Sequence, residues 1–241
     1  MDSDDIMKIN KLQELREALT AKNQIAVGLV EYISETIVGD GYRKYADWLN
    51  ALTINENNFL EIYKECVIPS PCWMIHRNDL DACGAFNSDI YPEDYDLTFR
   101  LRNAGIQLKA ATKKLHLWRD HSQRASRNDP NYLDNNFIDI KVKYFIESDY
   151  NPNTTLILWG AGKKGKKIAS LLVATNIPFQ WICNNPNKIG AHIYGVEMKD
   201  TQSIKATPDI QVIVAVAQRN AKSEIDEALR LNQRKEVFYF S

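Results

Sequence analysis

The sequence of 241 residues has few cysteines, no long apolar run and almost no net charge. No Cys-x-x-Cys pair or His–Cys spacing typical of zinc sites occurs among its four cysteines, which favours free thiols in a reducing cytoplasm. No apolar run approaches the ~20 residues that a membrane span needs, and the acidic start is unlike a signal peptide. The net charge of -1 gives no general attraction for nucleic acid. We therefore expect a cytoplasmic protein without a nucleic-acid partner.

Charge is unevenly distributed along the chain. Residues 1–150 contain 18 Lys+Arg and 24 Asp+Glu, a net charge of -6, whereas residues 151–241 contain 12 and 7, a net charge of +5. Residues 148–153, Ser-Asp-Tyr-Asn-Pro-Asn, have the composition of a linker. The sequence therefore predicts two domains, at 1–147 and 154–241, joined by this linker.

Hydrophobic periodicity predicts an α/β fold in both domains. In the first domain the predicted helices are residues 6–22, 42–52, 58–66, 93–103 and 132–147, and the predicted strands are residues 24–33, 72–76, 106–111 and 114–118. The apolar face of the first helix consists of Ile9, Leu12, Leu15 and Leu19. In the second domain, strands and helices alternate after a strand at Thr155–Trp159. This alternation predicts a parallel sheet with right-handed crossovers.

Three polar clusters lie in the first domain. One is the acidic run Asp2-Ser-Asp4-Asp5, the second is Glu93-Asp94 at the start of a helix, and the third pairs Arg119 with His121 after a strand. Two further arginines, Arg124 and Arg127, follow. Each acidic cluster alone is explained by helix capping, and the arginines by a solvated basic loop.

The order of these clusters resembles the second half of a family 2 inverting glycosyltransferase with the GT-A fold. The matching segments are "MDSDDI", "CGAFNSDIYPEDYDLTFRLRNAG" and "LHLWRDHSQRAS", which together cover about residues 1–127. The resemblance implies part of a GT-A-type mixed sheet with helices. Because the family's Asp-x-Asp element follows its nucleotide-binding half, the resemblance also implies a chain truncated at its N-terminus.

The resemblance implies a role for each cluster. Asp4, Asp2 and His121 would hold Mg²⁺ or Mn²⁺, which neutralises the leaving pyrophosphate of a nucleotide-sugar. Asp94 would be the base that takes the proton of the acceptor hydroxyl, and Glu93 would bind the acceptor. Arginines would bind the donor diphosphate, namely Arg119, Arg124 and Arg127.

A glycine-rich loop opens the second domain. Gly160-x-Gly162-x-x-Gly165 follows a strand and begins a helix, which is the context of a phosphate-binding loop. With the three glycines, Asn184 is a candidate nucleotide-binding residue, because its amide can hydrogen-bond a ribose. It stands where NAD-binding folds carry an acidic residue, and no catalytic Tyr-x-x-x-Lys pair follows, so NAD is not the expected cofactor. The alternative is a glycine turn that serves only strand–helix packing.

The second domain resembles the small Rossmann-like domains of sugar acetyltransferases and sugar methyltransferases. The segments that carry this resemblance are "LILWGAGKKGKKIASLL", "ICNNPNKIGAHIYGVEM" and "PDIQVIVAV". It implies nucleotide or sugar-nucleotide binding, or a structural role, and does not imply a reaction.

Two functions follow as expectations. The first is a metal-dependent glycosyltransferase that moves a sugar from a nucleotide-sugar to a glycan or lipid-linked acceptor in bacterial surface polysaccharide synthesis. A lipid-linked acceptor implies peripheral membrane association, and an uncovered sheet edge would favour a homo-oligomer. The second is a non-catalytic nucleotide-binding module with an inactive transferase remnant.

Overall fold

The chain folds as two α/β units. The computed structural model describes residues 4–35, 37–87, 90, 92–123, 137–207, 209–216, 221–230 and 234–241. Unit 1 comprises Met1–Ile62 and Cys66–Asn135, and unit 2 comprises Tyr63–Glu65 and Asn136–Ser241. Within the described residues, no helix combines the length and apolar character that crossing a membrane requires.

Unit 1 is built on a mixed sheet of four strands. The strands are β1 (Ile6–Met7), β2 (Gln24–Ile33), β3 (Trp73–Ile75) and β4 (Gln107–Arg119). The helices are α1 (Lys11–Ala18), α2 (Asp40–Ile54), α3 (Arg77–Ala82) and α4 (Glu93–Asn103), with a 3-10 turn at Asn58–Glu61. The strand order is β1-β4-β2-β3, in which β4 runs parallel to β2 and the two short strands are antiparallel to their neighbours.

The core of unit 1 covers both faces of β2. Ala26 and Val30 pack in one cluster with residues of α1 and α2, and Ile25 and Val27 pack in another with residues of α4. A strand buried on both faces needs an unbroken apolar run, which explains why β2 has the bounds predicted from sequence.

Helix α4 also has its predicted bounds, because its ends are marked by residue type. Pro92 precedes it in extended conformation, acidic residues occupy its first turn, and Arg100 and Arg102 lie in its last turn. Gly105 follows with a φ of +72°. Each of these features stabilises a helix end.

Unit 2 has a sheet of six strands. They are β5 (Thr155–Trp159), β6 (Gln180–Cys183), β7 (His192–Ile193), β8 (Val196–Asp200), β9 (Asp209–Val214) and β10 (Arg234–Tyr239). The helices are α5 (Ile138–Tyr144), α6 (Lys163–Ala174) and α7 (Ala221–Leu229), with a π-helical turn at Phe145–Asp149 and a 3-10 turn at Thr201–Ala206. The order is β10-β9-β5-β6-β8-β7, parallel except for β7.

The strand order of unit 2 indicates where a ligand would bind. From β5 the chain moves outward to β6 and β8, then returns to β9 and β10 on the other side of β5. The direction of winding therefore reverses between β5 and β9. In open parallel sheets, the crevice at the carboxyl ends of the strands at such a reversal is the usual ligand site.

The division between the units differs from the predicted boundary at 148–153. Helix α5 packs against α6, and Phe145 of the following π-helical turn is buried, so both belong to unit 2. The predicted linker is itself hydrogen-bonded to the sheet of unit 2. Gln211 of β9 accepts from the Asn151 amide at 2.8 Å and donates to the Asp149 carbonyl at 2.6 Å. Both bonds use backbone atoms of this segment, so its polar side chains did not indicate them.

The first predicted helix is also corrected by the structure. Residues 6–22 contain strand β1 followed by the shorter helix α1, because Ile6 and Met7 pair with the distant Leu117 and His116 of β4. Of the predicted apolar face, Leu15 is buried, whereas Ile9 and Leu12 are exposed. Local periodicity carries no information about a pairing partner more than a hundred residues away.

Candidate functional site

The structure brings together two of the predicted metal ligands in unit 1. Asp4 lies in the turn before β1, and His121 lies two residues beyond the end of β4. Their side chains meet with Asp4 Oδ2 2.9 Å from His121 Nε2. The Asp4 and His121 side chains are 38% and 40% exposed, so both remain accessible to a ligand from solvent.

The turn that carries Asp4 is tied to the end of β4 by two further bonds. The Arg119 backbone amide donates to Asp5 Oδ1 at 3.0 Å, and Arg119 Nε donates to the Asp4 carbonyl at 2.9 Å. Arg119 was predicted to meet the donor diphosphate. In this structure its Nε holds the turn that carries Asp4.

Sequence reasoning missed the buried group beneath this turn. Asp5 Oδ2 lies 2.8 Å from His116 Nε2, and His116 Nδ1 lies 3.2 Å from Lys11 Nζ. Burial lowers the pKa of His116, although the bond to Asp5 opposes that change. Burial also lowers the pKa of Lys11 from its usual value. The available signals were the places of Asp5 in the acidic run and of His116 in the segment "LHLWRDHSQRAS", and neither indicates that the two side chains meet.

The nearby thiol of Cys72 is neutral and contributes no negative charge to this group. Burial raises its pKa to about 11, even though the Lys11 ammonium acts in the opposite direction. A neutral thiol cannot serve as the counter-ion of Lys11. The carboxylate of Asp5, reached through His116, is therefore the negative charge in this group.

The Asp4–His121 pair would supply two ligands of a divalent cation's coordination set, and the remaining ligands would have to come from elsewhere. Within the described residues, no group of three or more His, Cys, Asp or Glu side chains is arranged to hold a metal ion. A carboxylate and an imidazole leave coordination positions for phosphate oxygens and water, which is how metal–nucleotide sites are commonly completed. The imidazole donor favours Mn²⁺ over Mg²⁺, since Mg²⁺ prefers oxygen ligands.

The two carboxylates predicted to handle the acceptor lie on a different element, the first turn of α4. Glu93 is exposed and Asp94 is half-buried. Asp94 Oδ1 accepts from the backbone amide of Tyr95 at 2.7 Å. This bond orients the Asp94 carboxylate at the start of α4. A negative charge at that position also stabilises the helix, which explains the residue without a catalytic role.

Three predicted site residues lie outside the described residues. They are the metal ligand Asp2 and the two diphosphate-binding arginines Arg124 and Arg127.

Unit 2 contains a cleft of about 500 Å³ at the winding reversal between β5 and β9. The glycine-rich loop after β5 lines one side, the residues after β6 line another, and α7 contributes Glu224 and Ile225. This volume lies within the range of small-molecule sites.

The three glycines of the loop have different environments. A Cβ on Gly165 would lie 2.1 Å from the Gly160 carbonyl oxygen, and one on Gly160 would lie 2.9 Å from the Ala215 carbonyl oxygen. Gly160 also has a φ of +132°, which side chains rarely adopt. A Cβ on Gly162 would meet open space. Gly160 and Gly165 are therefore required for packing, and Gly162 alone leaves room beside the cleft.

The cleft is lined by positive charge and by the predicted ribose-binding residue. Lys163, Lys164 and Lys188 line it together with Asn184. Burial lowers the pKa of Lys164, and Glu65 opposes that change. Lys188 Nζ donates to the Ala161 carbonyl at 2.8 Å, which places an ammonium against the glycine loop. Such a lining suits an anionic ligand.

Comparisons with known proteins give little further information. No family model and no curated protein matches the chain. Among solved structures, one match is the crystal structure of RSP, a Rex-family repressor, with 15% sequence identity and a TM-score of 0.32. The match covers 85% of this chain and 81% of that chain. A likeness of this size carries no argument about function.

Proposed function

We propose that this chain is part of a metal-dependent inverting glycosyltransferase acting on a nucleotide-sugar. The observation that carries the proposal is the 2.9 Å contact between Asp4 and His121. These residues are 117 positions apart in the chain, and the family resemblance implies that both are ligands of the same cation. A divalent cation held there supplies positive charge against the departing diphosphate.

The residues of the chain would perform the remaining steps. The Asp94 carboxylate takes the acceptor hydroxyl proton while the acceptor oxygen forms a bond to the anomeric carbon. The bond from that carbon to the diphosphate breaks at the same time, and the nucleoside diphosphate leaves with the electron pair. Glu93, exposed beside Asp94, binds the acceptor glycan or lipid-linked sugar. A reducing cytoplasm, where nucleotide-sugars are used in bacterial surface polysaccharide synthesis, is the compartment that we assign.

Calorimetric titration of the chain with Mn²⁺ and UDP or GDP tests the metal-ligand assignment. We expect Asp4→Asn and His121→Ala each to weaken metal-dependent binding about tenfold or more, as loss of a ligand does. Asp40→Asn and His192→Ala are matched controls, because both residues are exposed and lie on other elements. Equal binding by all four variants would refute the proposal.

The base assignment is tested separately by Asp94→Asn. This variant should retain nucleotide binding and lose sugar transfer, because only the proton acceptor has been removed. The measurement is release of nucleoside diphosphate in the presence of acceptor. Transfer at the unaltered rate would remove Asp94 from this role.

A second candidate function rests on the cleft of unit 2. Its volume of about 500 Å³, its three lysines and its position at the winding reversal favour a nucleotide-binding module. We expect binding of UDP, GDP or a nucleotide-sugar that persists in EDTA and is lost in Gly162→Val, because the valine side chain would enter the open space beside Gly162. Binding that instead requires Mn²⁺ and Asp4 favours the transferase.

A further inference from the structure

Three ionisable side chains are buried beneath the turn that carries Asp4. Lys11 is 4% exposed, and the side chains of His116 and Asp5 are 0% and 4% exposed. Removing such groups from water is costly unless each finds a hydrogen-bond partner. Their arrangement therefore has to be explained by the bonds among them.

The partners determine which nitrogen of His116 carries the hydrogen. Lys11 Nζ, as an ammonium, can only donate, and it reaches both the Pro71 carbonyl and His116 Nδ1. His116 Nδ1 is therefore an acceptor, and the Nε2–H group donates to Asp5 Oδ2 at 2.8 Å. The opposite tautomer would set a nitrogen lone pair against a carboxylate. A neutral imidazole thus links a buried cation to a buried anion.

Asp5, at the end of this series of hydrogen bonds, fixes the positions of the two proposed metal ligands. The second oxygen of Asp5 accepts from the Arg119 amide at 3.0 Å. Asp4 is the neighbour of Asp5 in the chain, and His121 follows Arg119 by two residues. Holding Asp5 against Arg119 therefore sets the separation between the Asp4 and His121 side chains.

We propose that Lys11, His116 and Asp5 form a positioning relay that holds Asp4 and His121 ready for one divalent cation. This inference rests on the proposed function, since it assumes that Asp4 and His121 bind the cation. Lys11 and His116 act through Asp5 and are positioning residues. Stability alone does not require their polarity, because apolar residues of similar volume commonly replace buried ionic groups without loss.

The relay is tested by comparing His116→Gln with His116→Leu. A glutamine amide can donate to Asp5 and accept from Lys11, whereas leucine fills similar volume without either bond. Binding of Mn²⁺ is measured from the electron paramagnetic resonance signal of the free ion. We expect His116→Leu to weaken binding about tenfold or more, as loss of a supporting contact does, and His116→Gln to stay within about threefold of the parent protein.

Two further measurements keep the test decisive if His116→Leu does not fold. The triple variant Lys11→Met, His116→Leu, Asp5→Asn leaves neither a lysine nor a carboxylate uncompensated beneath the turn, and it should fold while binding Mn²⁺ as weakly. In the parent chain, long-range ¹H–¹⁵N correlation of the imidazole should show His116 protonated at Nε2. His192→Leu, at an exposed histidine of unit 2, should change nothing.

The outcomes separate the relay from the proposed function. Absence of Mn²⁺ binding by the parent chain would overturn both proposals. Parent-like binding by the leucine variants, or equal losses in the glutamine and leucine variants, would overturn the relay alone. Protonation of His116 at Nδ1 would also overturn it, whatever the metal affinity.

Discussion

The two units form their candidate sites by different means. In unit 1 the candidate ligand-binding groups are the side chains of Asp4 and His121, and the turn before β1 that carries Asp4 is bonded to a buried polar network. In unit 2 the cleft is formed by backbone, through glycines that permit close approach of β5, α6 and the residue after β9. The first kind of site is sensitive to loss of charge or hydrogen bonds. The second kind is sensitive to added volume.

Removing Arg100 should give the largest effect and test the dependence of unit 1 on buried charge. Arg100 Nε donates to Asp96 Oδ2 at 2.8 Å, and the Asp96 side chain is fully buried. The same guanidinium donates to the carbonyls of Cys83 and Ala85. Arg100→Leu deprives the buried carboxylate of its counter-charge, so the free energy of unfolding should fall by about 3–5 kcal/mol in urea denaturation.

The matched control for Arg100 is Arg43→Leu. Arg43 pairs with Asp40 at 2.6 Å, but both side chains are exposed. We expect no measurable change in the free energy of unfolding. Equal effects of the two substitutions would contradict the distinction between buried and exposed charge in unit 1.

Adding one methyl group to Gly165 tests the dependence of unit 2 on backbone fit. The new Cβ would lie 2.1 Å from the Gly160 carbonyl oxygen, so α6 must move from β5. Gly165→Ala should lower the free energy of unfolding by about 3 kcal/mol, the upper part of the range for overpacking. Hydrogen exchange at the amides of β5 locates the effect in unit 2.

The control is Gly162→Ala, in the same loop. Its Cβ meets open space, and the residue precedes α6 as its N-cap. Loss of the N-cap preference for glycine should cost about 1 kcal/mol at most. If Gly162→Ala lowered the free energy of unfolding as much as Gly165→Ala does, then the backbone conformation of the loop, and not the close contacts of its glycines, would determine stability.

Acidification should affect unit 1 before unit 2, through His116. Burial lowers the pKa of His116 in the folded state, so the unfolded chain binds more protons as the pH falls below about 6.5. Stability contributed by the neutral imidazole is present above that pH and is lost below it. Chemical denaturation from pH 7.5 to 5 should show this loss in the parent chain and a smaller loss in His116→Gln.

The smallest effect should come from an exposed ion pair in unit 2. Lys167 Nζ lies 2.9 Å from Asp139 Oδ1 between α6 and α5, with side chains 50% and 55% exposed. Lys167→Gln should change the free energy of unfolding by less than about 1 kcal/mol. A change comparable to that of Arg100→Leu would mean that charge also holds unit 2 together.

Sequence predicts best the elements whose signals are local. Strands β2 and β5 and helix α4 have their predicted bounds, since continuous apolar runs or marked helix ends define them. Strand β1 was missed because its two residues pair with residues beyond position 115. Strand β7 was missed because it has two residues, and β8 (Val196–Asp200) because three of its residues are charged and it lacks an apolar run.

The candidate site shows the same limit. Asp4 and His121 could be selected because each belongs to a motif that a family resemblance explains. Lys11 lies outside the matching segments, and His116 lies within one of them without a role that the resemblance assigns. Their connection depends on how α1 packs on β4, which the sequence does not specify.

Strand β4 is one element of 13 residues where two strands were predicted, and its pairing with β2 shifts register at Gly28, Leu29 and Val30. As a result, the consecutive residues Leu115 and His116 both face α1, where they meet Leu15 and Lys11. A regular strand would turn one of them to the opposite face. The contact between His116 and Lys11 therefore depends on the number of residues between Ala111 and His116 as well as on which residues they are. A deletion between Ala111 and His116 that restored regular pairing would take His116 away from Lys11 while both of these residues were still present.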